Sequence, residues 1–134
     1  IFHLEAVGDL EEFKNFLEGI DNYIRDVVGI GVAINPSTPL EKLYPLVSSV
    51  DFVQFMGNDQ IGYQGAWIEL DESVLEKIKV FRKNYLDMPI AVDIGVNETT
   101  AHKLIEAGAT KLIIGSAIFK ADDIIGKMEE FRQL

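Results

Sequence analysis

The stretch Ile90-Ala91-Val92-Asp93-Ile94-Gly95-Val96 reads as an apolar strand that ends in one carboxylate, followed closely by a turn glycine. Parallel strands of an α/β domain present their carboxyl ends to the ligand crevice, so an acid held there can meet a substrate. Asp93 is therefore the candidate catalytic acid/base. An acid at this point can also cap the following helix, but Asn97 is better placed for that role.

Strand and helix patterns alternate on both sides of this stretch. Strands are predicted to begin near residues 1, 29, 50, 88 and 111, and a helical pattern follows each of them. This alternation predicts parallel strands joined by right-handed crossovers in a single α/β domain over residues 1–134. Two architectures satisfy the pattern: an open, doubly wound sheet, or part of a (β/α)8 barrel, which takes about 250 residues to close.

Three helix starts and one helix end carry recognisable signals. Asp9 is predicted to cap a first helix whose apolar stripe runs to Ile24, and Asn97 a helix that Gly108 ends. Asp122 or Asp123 is predicted to cap the last helix.

Composition limits the classes of partner. Twelve basic and 22 acidic residues give a net charge of -10, which repels nucleic acid and anionic membranes. The chain has no cysteine, so disulfides are excluded and a reducing, cytoplasmic setting is expected. No apolar run approaches the roughly 18 residues that a membrane span needs. We therefore expect a cytoplasmic protein with no nucleic acid or membrane partner.

Glycine turns are predicted after three of the strands, and such turns let backbone amides approach an anion. Each turn taken alone can merely satisfy a backbone conformation, whereas the set indicates a phosphate site made mainly by amide dipoles. Met56, at a strand end, is expected to line the same pocket. The turns are Gly62-Tyr63-Gln64-Gly65, Gly95-Val96-Asn97 and Gly115-Ser116.

The two histidines carry weaker signals. His3 alternates with Glu5 on one face of the first strand, but a single histidine there is more often packed or solvated than bound to metal. His102 falls in the middle of a predicted helix and is expected at the surface.

Six ordered motifs resemble the ribulose-phosphate 3-epimerases over essentially the whole chain. The resemblance implies a (β/α)8 barrel, of which this chain matches the fourth to eighth units, and hence a partial TIM barrel. The motifs are Phe2-His3-Leu4-Glu5-Ala6, Asn35-Pro36-Ser37-Thr38-Pro39, Val50-Asp51 with Met56, Val92-Asp93-Ile94-Gly95-Val96, Ala107-Gly108-Ala109 and Gly115-Ser116-Ala117-Ile118-Phe119.

The same resemblance implies an activity: interconversion of D-ribulose 5-phosphate and D-xylulose 5-phosphate, with a divalent metal of the Zn, Fe, Mn or Co type. It makes Asp93 both an acid/base and a metal ligand, and places Met56 in the pocket. The implied phosphate-binding residues are Gly62, Tyr63, Gln64, Gly65, Gly95, Gly115 and Ser116.

The partner aspartate and two metal-binding histidines of the family belong to strands absent here. Epimerisation needs a base on one face of the carbon and an acid on the other, so we expect this stretch alone to be inactive. Metal binding is expected only if the missing ligands are supplied. Because exposed sheet edges need cover, a homo-oligomer is expected.

Two departures from the family affect the substrate assignment. Ile94 stands where the family has a second glycine after the aspartate, and Gly62-Tyr63-Gln64-Gly65-Ala66 replaces Gly-Phe-Gly-Gly-Gln. The alternative is a non-catalytic partial barrel that binds a phosphorylated ligand or assembles with another chain. A flavodoxin-like binding domain is a weaker third option.

Overall fold

A computed structural model of the chain describes residues 1–62 and 68–134. Within these ranges one sheet contains five parallel strands in the order in which they occur along the chain. A doubly wound sheet reverses its strand order at a switch point, whereas a barrel adds each strand beside the previous one. The order therefore confirms the partial TIM barrel. The strands are β1 (Phe2–His3), β2 (Gly31–Ile34), β3 (Phe52–Met56), β4 (Ile90–Asp93) and β5 (Lys111–Ile113).

Helices or 3₁₀ turns connect the strands. The α-helices are α1 (Leu10–Glu18), α2 (Asn22–Arg25), α3 (Ser73–Asn84), α4 (Glu98–Ala107), α5 (Ser116–Phe119) and α6 (Ile124–Arg132). The 3₁₀ turns span Leu4–Ala6, Leu40–Lys42 and Tyr44–Ser49. None of the helices in the described part of the chain is long and apolar enough to cross a membrane.

The first helix is shorter than predicted. It ends at Glu18, because Gly19 is a poor helix former and Asp21 starts a separate short helix by accepting a hydrogen bond from the amide of Tyr23. The prediction that its apolar stripe continues to Ile24 is therefore wrong, and that side chain is exposed.

The helical pattern predicted after β2 does not form an α-helix. Two 3₁₀ turns take its place, and the second contains Pro45, which has no amide hydrogen for a helical hydrogen bond.

The helix caps predicted from sequence are confirmed. The Asp9 carboxylate accepts from the backbone of Glu12, and Asp123 caps α6 in the same way. Asn97 and Thr100 form a reciprocal capping box at the start of α4. Gly108 ends that helix in the left-handed conformation, with φ of 119°.

The main hydrophobic core lies between the sheet and the helices. Val53 and Phe55 of β3 point into it, and the ring of Phe55 meets that of Phe81 edge to face at 5.6 Å. Phe81 in turn stacks on Tyr85 at 4.7 Å. Because side chains alternate along a strand, Gln54 and Met56 project from the opposite, inner face of the sheet.

Candidate functional site

Asp93 is the last residue of β4, at the carboxyl edge of the sheet. Its Cα lies in register with that of Met56 on one side and that of Ile113 on the other. The side chain is half-buried, and its Oδ1 accepts a hydrogen bond of 2.8 Å from the amide of Ile94. Met56 is buried. The structure therefore brings the predicted acid and the predicted pocket residue together, while their chemical roles stay predictions.

The ends of β3 and β4 are joined through backbone atoms at Gly57. Its amide donates to the carbonyl of Asp93 at 2.6 Å, and its carbonyl accepts from Asp71 at 2.7 Å. A Cβ atom at this position would lie 1.9 Å from the carbonyl oxygen of Ile94. This close approach leaves no room for a side chain on Gly57, and it holds the strand end that carries Asp93.

Two successive left-handed residues follow Asp93. Ile94 has φ of 71° and Gly95 has φ of 72°. This conformation suits glycine but costs an L-residue about 1–2 kcal/mol, and a β-branched side chain is rare there. Ile94 thus occupies a backbone position for which glycine is the ordinary residue. A Cβ on Gly95 would lie 2.8 Å from the backbone of Leu70, so the turn is also closely packed.

The third glycine turn lies beside the second. Gly115 follows Ile113 by two residues, as Gly95 follows Asp93, and Ile113 and Asp93 are in register. Gly115 and Ser116 are exposed, and no heavy atom lies within 4 Å of a Cβ placed on Gly115. The carboxyl edge of the sheet therefore has open backbone at this turn.

The predicted loop after β3 is described only in part. Gly62 is exposed and has φ of 74°. The other three loop residues predicted to bind phosphate, Tyr63, Gln64 and Gly65, lie outside the described residues.

Glu5 holds the loop that follows β2, a role that the sequence did not indicate. Its Oε1 accepts from the amide of Asn35 at 2.8 Å and from the hydroxyl of Thr38 at 2.5 Å. Asp59, in the loop after β3, accepts from the hydroxyl of Ser37 at 2.9 Å. Two carboxylates from neighbouring loops thus hold the loop after β2, beside the end of β3 that carries Met56.

Lys77 of α3 binds the same loop from the other side. Its Nζ donates to the carbonyl oxygens of Asn35, Pro36 and Thr38 at 3.2, 2.5 and 2.6 Å. Burial lowers the pKa of Lys77 below its ordinary value, and the carboxylate of Asp59 opposes part of that shift. The ammonium group therefore compensates for its desolvation by satisfying three carbonyls.

Replacing Lys77 with methionine is expected to lower the free energy of unfolding by about 2 kcal/mol, because three partly buried carbonyls lose a charged donor. Urea denaturation of the variant measures the loss. Lys79→Met is the matched control, since Lys79 is exposed on the same helix. Equal stability of the two variants would show that Lys77 does not anchor the loop.

Three buried polar atoms on or next to the inner face lack a hydrogen-bond partner in the described part of the chain: Nδ1 of His3, Oδ1 of Asn35 and Oε1 of Gln54. His3 was singled out from the sequence as a weak candidate, whereas Asn35 and Gln54 were missed. Strict alternation along β3 could have placed Gln54 beside Met56, but only the sheet register shows its neighbours.

Residues 1–62 and 68–134 contain no group of three His, Cys, Asp or Glu side chains arranged to hold a metal ion. His3 has one acidic neighbour, Glu5, with 3.9 Å between Nδ1 and Oε2. The described donors therefore do not form a complete divalent-metal site. Asp93 offers one carboxylate, and any further ligands would have to come from elsewhere.

Comparisons with a family profile and with individual known proteins point to the same family. The profile of the "Ribulose-phosphate 3 epimerase family" matches residues 1–119. The chain is 32% identical over 123 residues to the cytoplasmic isoform of ribulose-phosphate 3-epimerase from Oryza sativa subsp. japonica, covering 90% of this chain and 50% of the relative.

Two microbial proteins named ribulose-phosphate 3-epimerase show similar likeness. The Bacillus subtilis protein is 36% identical over 110 residues, which cover 78% of this chain and 49% of the relative. The Methanocaldococcus jannaschii protein is 33% identical over 135 residues, covering 98% and 54%. The chain thus spans about half the length of the curated relatives that it matches.

Proposed function

This chain belongs to the ribulose-phosphate 3-epimerase family, and we propose that it carries one acid/base of an isomerase that interconverts D-ribulose 5-phosphate and D-xylulose 5-phosphate. The observation that supports this role is the position of Asp93 at the end of β4, in register with Met56 and next to the glycine turns. In a parallel (β/α) fold this edge is where substrates are bound.

Asp93 would exchange a proton with one face of the carbon next to the ketose carbonyl. Its Oδ1 is held by the amide of Ile94, which orients the carboxylate and leaves Oδ2 as the oxygen that takes up and returns the proton. Removal of the proton gives an enediolate, and return from the opposite face gives the epimer. That second transfer needs another acid, because one carboxylate cannot reach both faces.

The phosphate of the substrate would lie over the glycine turns. Gly95, Gly115 and Ser116 lie at neighbouring strand ends. Gly62, Tyr63, Gln64 and Gly65 are the loop residues that we propose to complete the phosphate site. Backbone amides at such turns bind a dianion without a basic side chain. A divalent metal of the Zn, Fe, Mn or Co type, with Asp93 as one ligand, would supply positive charge near the developing enediolate. The described residues contain no group of three His, Cys, Asp or Glu side chains that would complete its coordination.

A second function fits the same geometry. With one acid and an incomplete metal site, the described residues can bind a phosphorylated ligand without turning it over, or assemble with another copy or another chain that completes the site. We also propose that the protein is a homo-oligomer and that it is located in the cytoplasm. Without a second acid, we expect this stretch alone to be inactive as an epimerase.

One experiment distinguishes the two proposed functions by whether the substrate is turned over. The full chain is incubated with D-ribulose 5-phosphate and Mn²⁺ in D₂O, and both deuterium incorporation next to the carbonyl and formation of D-xylulose 5-phosphate are followed by NMR. The same assay is run on a fusion in which the first three β/α units of the Bacillus subtilis relative precede Ile1. Turnover by the fusion but not by the chain alone supports the epimerase half-site. Ligand binding without turnover in either supports the non-catalytic function.

Replacing Ser116 with aspartate is expected to weaken binding of D-ribulose 5-phosphate at least about tenfold, because a carboxylate would face the phosphate dianion at short range. Isothermal titration calorimetry measures the effect. Ser48→Asp adds the same charge at an exposed position before β3, at the opposite end of the sheet, and serves as the control. Equal affinities for the two variants would place the phosphate elsewhere.

A further inference from the structure

Gln54 is a buried amide that the proposed reaction does not use. Its side chain is 4% exposed, and its Nε2 donates to the sulfur of Met56 at 3.3 Å. Its Oε1 is buried and has no partner among the described residues. An unpaired buried carbonyl is costly, and native structures ordinarily satisfy such groups with a protein atom, a water or a ligand. The orphaned oxygen therefore indicates an absent hydrogen-bond donor.

On the inner face of the sheet, the residues on the two neighbouring strands beside this amide are small. Ala33 of β2 and Ala91 of β4 are its register partners on the two sides, and both are buried. Their methyl groups are too short to reach past the first carbon atoms of the Gln54 side chain. The amide therefore extends past its lateral neighbours on the inner face of the sheet.

The position of Gln54 along β3 places it further from the carboxyl edge of the sheet than the candidate site. Met56 is in register with Asp93, and Gln54 precedes Met56 by two residues, about 6.6 Å along the strand. The turns at Gly95 and Gly115 lie on the other side of Asp93, beyond the ends of β4 and β5. From the carboxyl edge of the sheet inward, the turns proposed to bind phosphate come first, the carboxylate of Asp93 second and the buried amide of Gln54 third.

A ketose 5-phosphate matches this order. If its phosphate lies at the turns and its third carbon lies at Asp93, the first carbon lies two bonds further inward, and its hydroxyl together with a hydrogen bond of about 2.8 Å can span the remaining distance to Gln54. That carbon carries a hydroxyl, which is a hydrogen-bond donor, and Oε1 of Gln54 is an acceptor that no described residue pairs with. Donor and acceptor are complementary.

On the basis of the proposed function, we propose that Gln54 is a specificity-determining residue whose Oε1 accepts a hydrogen bond from the C1 hydroxyl of a ketose 5-phosphate. A ligand without that hydroxyl leaves the buried oxygen unpaired. Sites built to bind a hydroxyl discriminate strongly against the analogue that lacks it, for this reason. The residue contributes to binding and discrimination, while proton transfer stays with Asp93.

The test compares two ligands that differ at C1. Calorimetry measures the affinities of D-xylulose 5-phosphate and 1-deoxy-D-xylulose 5-phosphate for the full chain and for Gln54→Met, which keeps the side-chain volume and removes the acceptor. Wild type is expected to prefer the hydroxylated ligand by about tenfold or more, and Gln54→Met by less than about threefold. Gln133→Met, at an exposed glutamine, is expected to keep the wild-type preference.

A second measurement requires no variant. In the wild-type chain, the side-chain amide resonances of Gln54 are expected to shift with D-xylulose 5-phosphate and to stay in place with the 1-deoxy ligand. Equal affinity for the two ligands, or an unchanged preference in Gln54→Met, would overturn the role of Gln54 and leave the proposed function intact. If neither ligand binds, the sugar-phosphate assignment itself fails, and the role of Gln54 falls with it.

Discussion

Replacing Asp93 with asparagine is expected to reduce exchange of the substrate's α-proton with solvent by about 10²–10⁴-fold, the usual contribution of a positioned acid/base. Asparagine is almost isosteric, and its amide oxygen can still accept from the backbone of Ile94, so the local backbone should be kept. What is lost is the group that takes up the proton. Sugar-phosphate binding should change much less than exchange does.

Proton exchange is measured by NMR in D₂O with the full chain. If the full chain shows no exchange, the measurement is made with the fusion that adds the first three β/α units of the Bacillus subtilis relative. Asp87→Asn is the matched control, because Asp87 is exposed in the loop before β4, at the opposite end of that strand. Survival of exchange in Asp93→Asn would remove Asp93 from the reaction. Loss of exchange in Asp87→Asn as well would point to a general effect on the fold.

Replacing Gly57 with alanine is expected to lower the free energy of unfolding by about 3 kcal/mol or more, among the larger effects of a single substitution. The added methyl would lie 1.9 Å from the carbonyl oxygen of Ile94, and backbone atoms cannot rotate away as a side chain can. The ends of β3 and β4 must therefore separate. The hydrogen bond from the amide of Gly57 to Asp93 would lengthen with them.

Gly8→Ala is the control for this prediction, because no heavy atom lies within 4 Å of a Cβ at that position. Urea denaturation of both variants, followed by circular dichroism, gives the difference in stability. If Gly57→Ala is as stable as Gly8→Ala, the strand ends are not as close as the structure has them. A folded Gly57→Ala protein should also bind sugar phosphate more weakly, since Asp93 and its turn would be displaced.

Local sequence signals were sufficient for the alternation of strands and helices and for the helix caps, but not for every helix. Asp9, Asn97, Gly108 and Asp123 all act as the sequence predicts, because capping depends on residues within one helical turn. The five strands were recognised because short apolar runs between turn residues are also local signals. The first helix was predicted too long because the apolar spacing in the sequence continues past Gly19. In the structure the helix ends before Gly19, and Asp21 caps a separate helix.

The candidate site was predictable in part. Asp93, Met56, Gly95, Gly115 and Ser116 lie at the carboxyl ends of strands or in the turns that follow them, as the pattern of strand ends predicted. Their roles in catalysis and binding stay predictions. Lys77, by contrast, gave no signal, because its three carbonyl partners lie about forty positions away in the chain.

The stretch Ile90–Val96, read with its neighbours, was enough to determine parallel strands with an acid at the carboxyl edge, because alternation and strand ends are local properties. Only the tertiary structure decided between a barrel and an open sheet, since strand order depends on contacts between distant segments. It alone also showed Ile94 in a left-handed conformation and the amide oxygen of Gln54 buried without a partner among residues 1–62 and 68–134. Whether a buried amide has a partner depends on contacts between strands, which no single stretch of sequence contains.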